Sequence, residues 1–443
     1  MIMNTLQWIY LAFSIAVVYF FLHFFITSLS EKKTRAAIIS LFSALIVGFL
    51  TVSVLLLLPP DSPFLIVVPV CICFITIVFF IPLGHSRDIP IEECNEQVDE
   101  RDTMFAREDY EPGTKIYDDY YSRQPENKRI DDKIRKLPWL MAPGAKYYDP
   151  VRSHYIETIF ESIHELTNSV DGDVNPSKIE LDILNISREI KKITRHLGAV
   201  EVGFAPLNQS YVYSHVGRGP EPYGEKINLS HKSVIVFTIE MDYEKVEKAP
   251  QLPITEETAL RYLDVTIISI VLARFIRDLG YPARAHISGS NYQIMLPAVA
   301  YDAGLGELGR HGYLISPRFG SRIRLGAVTT DLPLLHDKPI NFGVQDFCDK
   351  CKRCATNCPS ASIPLGNPQK VKGVTKWPLE VESCMTYWRN IGTDCGICMK
   401  VCPFSHPSSL VHNLVRMGIK NSSFVRTVSV LGEDLFYGKK APY

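Results

Sequence analysis

Four cysteines in the stretch FCDKCKRCATNCPSASIP, residues 347–364, carry the most legible chemistry of this chain. Cys348, Cys351, Cys354 and Cys358, followed by Pro359, fit C-x2-C-x2-C-x3-C-P without a mismatch. In iron–sulfur proteins with this run, the fourth cysteine ligates a different cluster from the first three. A second set is therefore required, and it is present: Cys384, then DCGICMKVCP with Cys395, Cys398, Cys402 and Pro403. The spacing assigns one [4Fe–4S] cluster to Cys348, Cys351, Cys354 and Cys402, and the other to Cys384, Cys395, Cys398 and Cys358. Paired zinc sites are the competing reading, because C-x2-C also suits tetrahedral zinc. Zinc, however, needs neither the third close cysteine nor the C-P endings. Disulfides fit worse, since cysteines this close in sequence seldom meet unstrained bridge geometry.

Of the eleven cysteines, eight belong to these runs. Cys71 and Cys73 lie in an apolar run and are expected only to pack, while Cys94 is a lone thiol in a polar stretch. Thiolate ligands and low-potential clusters call for a reducing compartment. The 443 residues leave room for two or three domains. A net charge of −1 gives no field to attract nucleic acid, so no such partner is expected.

Residues 1–83 read as three transmembrane helices. Leu6–Leu29, Ala36–Leu58 and Phe64–Leu83 contain no Asp, Glu, Lys or Arg, and each is near the ~20 residues a spanning helix needs. A cleaved signal peptide is disfavoured for the first run, which lacks a basic start and is followed by two more apolar runs. The first loop, EKKTR (31–35), carries Lys32, Lys33 and Arg35, whereas the second, around PPDSP (59–63), has only Asp61. The positive-inside bias then puts the first loop, and everything after residue 84, in the cytoplasm. The expected protein is multi-pass in the inner (cytoplasmic) membrane, in contact with lipid. No twin-arginine pair stands near the start.

Residues 84–150 are rich in charge, tyrosine and proline without clear periodicity. They read as a linker or wrapping segment with little core of its own. Helical spacing resumes in HYIETIFESIHEL (154–166) and in PSKIELDILNISREIKKITRHLGA (176–199). Strands are expected at 200–207 and 233–241, then a long helix at 257–280 closed by Gly280, then strands at 283–287 and 322–330. These give an α/β domain over 151–340, a ferredoxin-like domain with two clusters over 341–415, and a C-terminal tail over 416–443.

Two clusters alone make an electron carrier, and the α/β block is far larger than a spacer. Something in it should accept electrons singly, which implies a cofactor. In DAGLGELGRHG (302–312), Gly304, Gly306 and Gly309 match G-x-G-x-x-G. A dinucleotide fold does not suit the context, because the unit sits late in the block and lacks an acidic ribose ligand downstream. Two readings stay open. One is a glycine-rich turn that permits close packing, and the other is backbone lying against a large flat ligand where a Cβ would collide.

The ordered set YVYSHVGRG (211–219), LGYPARAH (279–286), DAGLGELGRHGYLISPRFGSRIRL (302–325), VTTDLPL (328–334) and the two cysteine runs resembles the corrinoid-dependent reductive dehalogenases, over roughly residues 100–415. It is also similar to the related epoxyqueuosine reductases, which share the glycine motif and the clusters. The resemblance implies a nitroreductase-like α/β core that buries a base-off corrinoid (cobalamin), with two [4Fe–4S] clusters feeding its cobalt. It implies a halogenated organic small molecule as substrate. It also implies proton donation by a tyrosine, matched here by Tyr213; Tyr211 would share its face if the segment were a strand. A phenol with a pKa of ~10 needs a nearby cation to tune it. The family's basic residue falls near Asp264 here, and Arg261, one turn earlier, is the nearest substitute. Arg284 and His286 are matched to corrinoid contacts or to finishing a strand. Gly304, Gly306, Gly309 and Arg310, with His311, are candidates for the same cofactor. Arg322 and Arg324 alternate along a strand and would attract an anion or form structural ion pairs. None of the twelve histidines lies in D-x-H-x-x-G, in keeping with base-off binding. Three apolar runs stand where exported respiratory members carry a twin-arginine signal.

The expected activity is that of an oxidoreductase acting on carbon–halogen bonds, facing the cytoplasm and served by a cytoplasmic or membrane electron donor. Another cobalamin-dependent reductase is the nearest alternative. A membrane-tethered ferredoxin-type carrier without corrinoid is the alternative from outside the enzymes, and stoichiometric cobalt would exclude it.

Overall fold

The computed structural model describes residues 3–81, 96–288 and 292–441, arranged as two compact units. Cys94 lies outside the described residues.

The first unit contains the apolar N-terminal helices, residues 342–351 and the C-terminal helices. Helices α1 (Thr5–Ser30) and α2 (Thr34–Leu57) form an antiparallel hairpin. Asn4 starts α1 by accepting from Gln7 N at 3.0 Å, and Gln7 Oε1 accepts from Asn4 N in return, a capping box. The buried residues of α2 are small, Ala36, Ala37, Ser40, Ala44 and Thr51, and α1 buries Ser14 and Ser28 beside the larger Gln7, Tyr10 and Phe24. Small residues let helix backbones approach without a hydrophobic drive between them. The outward faces are large and apolar, Phe49 being 73% exposed, which fits lipid rather than water. At 26 and 24 residues, both helices are long and apolar enough to cross a membrane. The third, α3 (Phe64–Phe80), has 17 residues and an internal Pro69, so it is shorter than the span expected over 64–83. Cys71 and Cys73 are exposed on α3 rather than packed. The expected C-terminal tail is largely helical: Leu410–Asn421 and Ser423–Tyr437 belong to this same unit. Arg426 holds them by donating to Asp346 Oδ2 at 3.0 Å and to the Ile419 carbonyl at 2.9 Å.

The second unit covers residues 88–341 and 352–405. Its sheet has the order β1 (Glu201–Pro206), β2 (Ser233–Glu240), β6 (Ile323–Thr330), β3 (Ala283–His286), antiparallel throughout. Two short hairpins, β4 (Glu307–Leu308) with β5 (Leu314–Ile315) and β7 (Gln369–Val371) with β8 (Val374–Lys376), complete the strands. The sequence SVIVFTIE shows why β2 is central. Ile235, Phe237 and Ile239 point to a core shared with the helices Ile183–His196 and Leu252–Asp278. Val234 and Val236 point to the opposite core, which includes Val299 and Ala300 of the helix Leu296–Asp302. A strand buried on both faces reads as a continuous apolar run. The four expected strands and the long helix are therefore present, the helix beginning at Leu252 with Pro253 in its first turn. Gly280 ends it in the left-handed region (φ 88°), where a Cβ would also strike Lys178 Cα at 2.5 Å.

The segment expected to lack a core departs most from expectation. Helices form at Met104–Arg107, Lys115–Arg123 and Pro125–Arg135, and Tyr110, Tyr117, Tyr120 and Tyr121 pack together. Its charges are buried and paired. Arg107 meets Asp131 bidentately (Nε to Oδ2 3.0 Å, Nη2 to Oδ1 2.8 Å) and donates from Nη1 to Glu382 at 2.7 Å. That third bond clips the segment to the helix Val381–Ile391, which carries Cys384. Asp131 is wholly buried and Arg107 nearly so. Replacing Arg107 by Ala should therefore cost ~3–5 kcal/mol by stranding the Asp131 charge. Thermal unfolding of the variant should show a lowered Tm, and an unchanged Tm would mean that the pair contributes little.

Candidate functional site

The second cysteine set converges. The thiols of Cys358, Cys384, Cys395 and Cys398 stand within electrostatic reach of one another. Burial, with the neighbouring sulfurs, pushes Cys384 up to about 11 and Cys395 up to about 12; Cys398 is raised for the same reasons. Three largely buried thiols that resist ionising, with the Cys358 sulfur beside them, suit a cationic cluster that compensates their charge. Backbone N–H groups are already aimed at sulfur, Ile397 N at Cys395 and Met399 N at Cys398. Such bonds tune cluster potential. Cys395 itself is left-handed (φ 56°) and is followed by left-handed Gly396, so the chain turns sharply around the sulfurs. A Cβ on Gly396 would meet Ile254 Cγ1 at 2.8 Å. Of the other set, Cys348 and Cys351 lie on the helix Val344–Cys351, and Cys354 lies on Arg353–Thr356. Arg353 Nε donates to the Val401 carbonyl at 3.4 Å, which brings the neighbours of Cys354 and Cys402 together.

From these sulfurs a run of polar groups leads inward. Tyr313 lies within electrostatic reach of Cys398, Cys384 and Arg324, and burial holds its phenol well above the usual range. Arg324 donates to Thr258 Oγ1 at 2.7 Å, faces Asp394 at 3.4 Å and sits over the Tyr262 ring at 5.2 Å. Tyr292 follows, within reach of Tyr262, Arg324, Arg218 and Tyr213; burial again raises its phenol. Tyr213 ends the run. Burial and then Glu100 push its phenol up to about 12, against a lowering by Arg218. Glu100 accepts from Gly217 N at 2.9 Å and from Arg218 Nε at 3.3 Å, so the supposed linker supplies the carboxylate that fixes Arg218. Three buried atoms in this region have no hydrogen-bond partner among the described residues: Tyr292 Oη, Arg324 Nε and His311 Nε2. Burial lowers His311 to about 4, so its ring is neutral.

The expected residues divide. Tyr213 stands in the run; no strand forms there, and Tyr211 closes a 3-10 turn (Gln209–Tyr211) in the apolar core against which Tyr213 also packs. Arg261 is held by Glu257 at 3.2 Å and Asp264 at 3.0 Å, and the cation acting on Tyr213 is Arg218. Arg284 is paired with Asp171 and with Glu221 at 2.7 Å. His286 is wholly buried, its Nε2 3.0 Å from Thr329 Oγ1 and its Nδ1 accepting from Gln293 N at 3.3 Å. Arg310 donates to the Pro364 and Gly366 carbonyls at 2.6 and 2.9 Å and lies over Trp377. Arg322 is likewise spent on the Ser405 and Met241 carbonyls. The glycines answer to the chain's own packing. A Cβ on Gly304 would strike the Lys338 carbonyl, one on Gly306 the Ile315 carbonyl, and one on Gly309 Ile315 Cδ1 at 2.7 Å. Sequence reasoning does not single out Arg218, Tyr262, Tyr292 or Tyr313 for a role, although Arg218 and Tyr313 stand inside motifs that it uses.

Residues 347–406 match the 4Fe-4S dicluster domain. The chain is 32% identical over 295 residues to a tetrachloroethene reductive dehalogenase of Sulfurospirillum multivorans, covering 58% of each chain. It is 33% identical over 278 residues to one of Desulfitobacterium hafniense, covering 52% of this chain and 50% of that one. Among solved structures, the catabolic reductive dehalogenase NpRdhA in complex with 3-bromo-4-hydroxybenzoic acid superposes with a TM-score of 0.64 at 23% identity. That match covers 81% of this chain and 49% of the other, and it shows a shared fold. The chain spans about half the length of the relatives it matches.

The convergence of Cys358 on the second run yields a test. Cys358→Ala should remove the cluster of Cys384, Cys395 and Cys398, lowering iron from about eight to about four per chain. Electron paramagnetic resonance should retain the signal of the other cluster; loss of that one instead would overturn the crossed assignment.

Proposed function

We propose that this chain is a membrane-anchored reductive dehalogenase that replaces a carbon-bound halogen by hydrogen. The observation that carries the reading is the run of buried polar groups from the Cys384 and Cys398 sulfurs, through Tyr313 and Arg324, to Tyr292 and Tyr213. Similarity to named dehalogenases over more than half of the chain supports it. Reductive dehalogenation takes two electrons and one proton and releases a halide. The two clusters supply the electrons singly, and a base-off corrinoid, when bound, supplies a reducing cobalt that acts on the carbon–halogen bond.

The chain's own groups fit such a ligand. Tyr292 Oη, Arg324 Nε and His311 Nε2 are buried polar atoms in want of partners, and a large molecule rimmed with amides would satisfy them. Half-buried tyrosines beside them, Tyr213 and Tyr262, give flat apolar surface. Tyr213 does the proton work. Its phenol, held up to about 12, stays protonated at neutral pH, as a donor must. Once the proton leaves, Arg218 stabilises the phenolate, and Glu100 keeps Arg218 in position. A halogenated organic molecule is thus the substrate class.

The membrane arrangement follows from α1, α2 and the shorter α3, taken as three crossings. Lys32, Lys33 and Arg35 orient the first loop toward the cytoplasm, and residues after 84 follow there, beside a cytoplasmic or membrane electron donor.

Tyr213→Phe deletes one hydroxyl and keeps the ring. Cobalt and iron contents should persist while turnover of a halogenated substrate falls by roughly 100- to 10,000-fold. Undiminished turnover with intact cofactors would make the hydroxyl structural. For topology, a reporter fused after residue 443 should be active only in the cytoplasm, and one inserted near Asp61 only outside. The reverse pattern would overturn the orientation.

A further inference from the structure

The loop that closes the α1–α2 hairpin takes part in a side-chain cluster that electron transfer leaves unused. Glu31 follows α1, His406 follows the second cysteine run, and His412 lies on the helix Leu410–Asn421; all three belong to the first unit. One ligand atom from each lies within 4.8 Å of the other two. His412 Nε2 is 2.7 Å from Glu31 Oε1, and His406 Nδ1 faces Glu31 Oε2 at 3.6 Å. The imidazoles stack with centroids 4.5 Å apart and planes 5° from parallel. Glu433 reaches His406 Nε2 at 3.3 Å, and Tyr437 Oη lies 3.5 Å from His412 Nε2. Arg416 donates to the His406 carbonyl.

Two features point to a ligand rather than to packing alone. Glu31 Oε2 and His406 Nδ1, on side chains only 2% and 10% exposed, face each other at 3.6 Å, beyond hydrogen-bond distance, and have no hydrogen-bond partner among the described residues. A buried acceptor left so costs free energy that a ligand would recover. The second feature is charge. Glu31 and Glu433 bring two negative charges into a water-poor site, and two parallel imidazoles cannot both be protonated without repelling each other. One divalent cation balances both carboxylates and leaves both rings in the neutral, ligating form.

We propose that Glu31, His406 and His412 bind a divalent transition cation of the zinc type. Two imidazole nitrogens and a carboxylate oxygen are a borderline-soft donor set that suits zinc. Glu433 orients His406 through the nitrogen that the metal does not use, as supporting carboxylates do. Metal–ligand bonds of ~2.0–2.2 Å require the Glu31–His412 hydrogen bond to open and its two atoms to share the ion instead. Bound there, the ion fastens the hairpin loop to the helix Leu410–Asn421. The site stands apart from the dehalogenation reading and survives its failure.

Zinc is titrated into the full-length chain in detergent, purified anaerobically with both clusters loaded, and metals are counted by mass spectrometry after gel filtration. One zinc per chain above the iron content is expected. Glu31→Gln keeps the size and a hydrogen bond but loses the charge, and His406→Gln removes one ligand nitrogen. Each should weaken zinc binding by at least the roughly 10–100-fold that losing a supporting partner costs, with cluster spectra unchanged. Zinc should raise the Tm of the parent chain and not of the variants. Should a variant lose its clusters, zinc X-ray absorption on the parent chain decides: nitrogen and oxygen ligation is expected, and sulfur ligation overturns the site. No zinc above the iron content, or equal retention by both variants, overturns it as well.

Discussion

The carboxylate of Asp394 is the joint on which the second unit turns. It accepts from Thr255 Oγ1 at 2.8 Å and Thr258 Oγ1 at 2.6 Å, and it faces the Arg324 guanidinium at 3.4 Å. The two threonines sit in the first turns of the long helix, Arg324 lies on β6, and Asp394 directly precedes Cys395. One largely buried anion thus ties the cluster loop, the helix and the sheet together. Neighbouring bonds reinforce the joint. Thr393 Oγ1 donates to the Pro250 carbonyl at 2.6 Å, and Lys400 Nζ donates to the Ala249 carbonyl at 3.1 Å. Without that joint, the sulfurs and the tyrosines would have no fixed separation, and electron transfer depends steeply on separation.

The site is accordingly made of pieces with unrelated local reasons to exist. A turn brings Tyr213, β6 brings Arg324, and the segment before residue 135 brings Glu100. Each piece is held by buried charge rather than by apolar contact alone. Arg107, Arg322 and Arg389 all spend their guanidinium donors on carbonyls or carboxylates of distant segments. Charge-assisted bonds of this kind are directional, so they fix orientation where apolar packing fixes only proximity.

What the sequence makes legible follows from that division. The cysteine runs can be read because ligation demands one residue type at fixed spacing, and Cys358 is found with the second run as the spacing requires. The sheet can be read because β2 is apolar on both faces. The charged stretch after residue 96 misleads because composition counts Arg107, Asp131 and Glu100 as solvated, whereas each finds a buried partner far along the chain. The same limit hides Arg218 and Tyr292, whose meaning lies in neighbours the sequence does not put beside them. The 3-10 turn that ends at Tyr211 has a local signal. Asn208 Oδ1 accepts from Ser210 N at 3.0 Å, a side-chain turn that bends the chain before a strand can start.

The crossing of Cys358 to the second run also has a bearing on biogenesis. The first run leaves the ribosome complete in sequence but not in ligation, because its own fourth cysteine is committed elsewhere. On the proposed crossed ligation its cluster waits for Cys402, and the other waits for Cys398, so neither would close until nearly all of the cysteine-bearing chain is synthesised. Cluster insertion is then late and mutual, and a chain truncated between the runs would hold thiols with no lasting use for iron. The braid acts as a checkpoint: only a chain long enough to complete the fold can keep its metal.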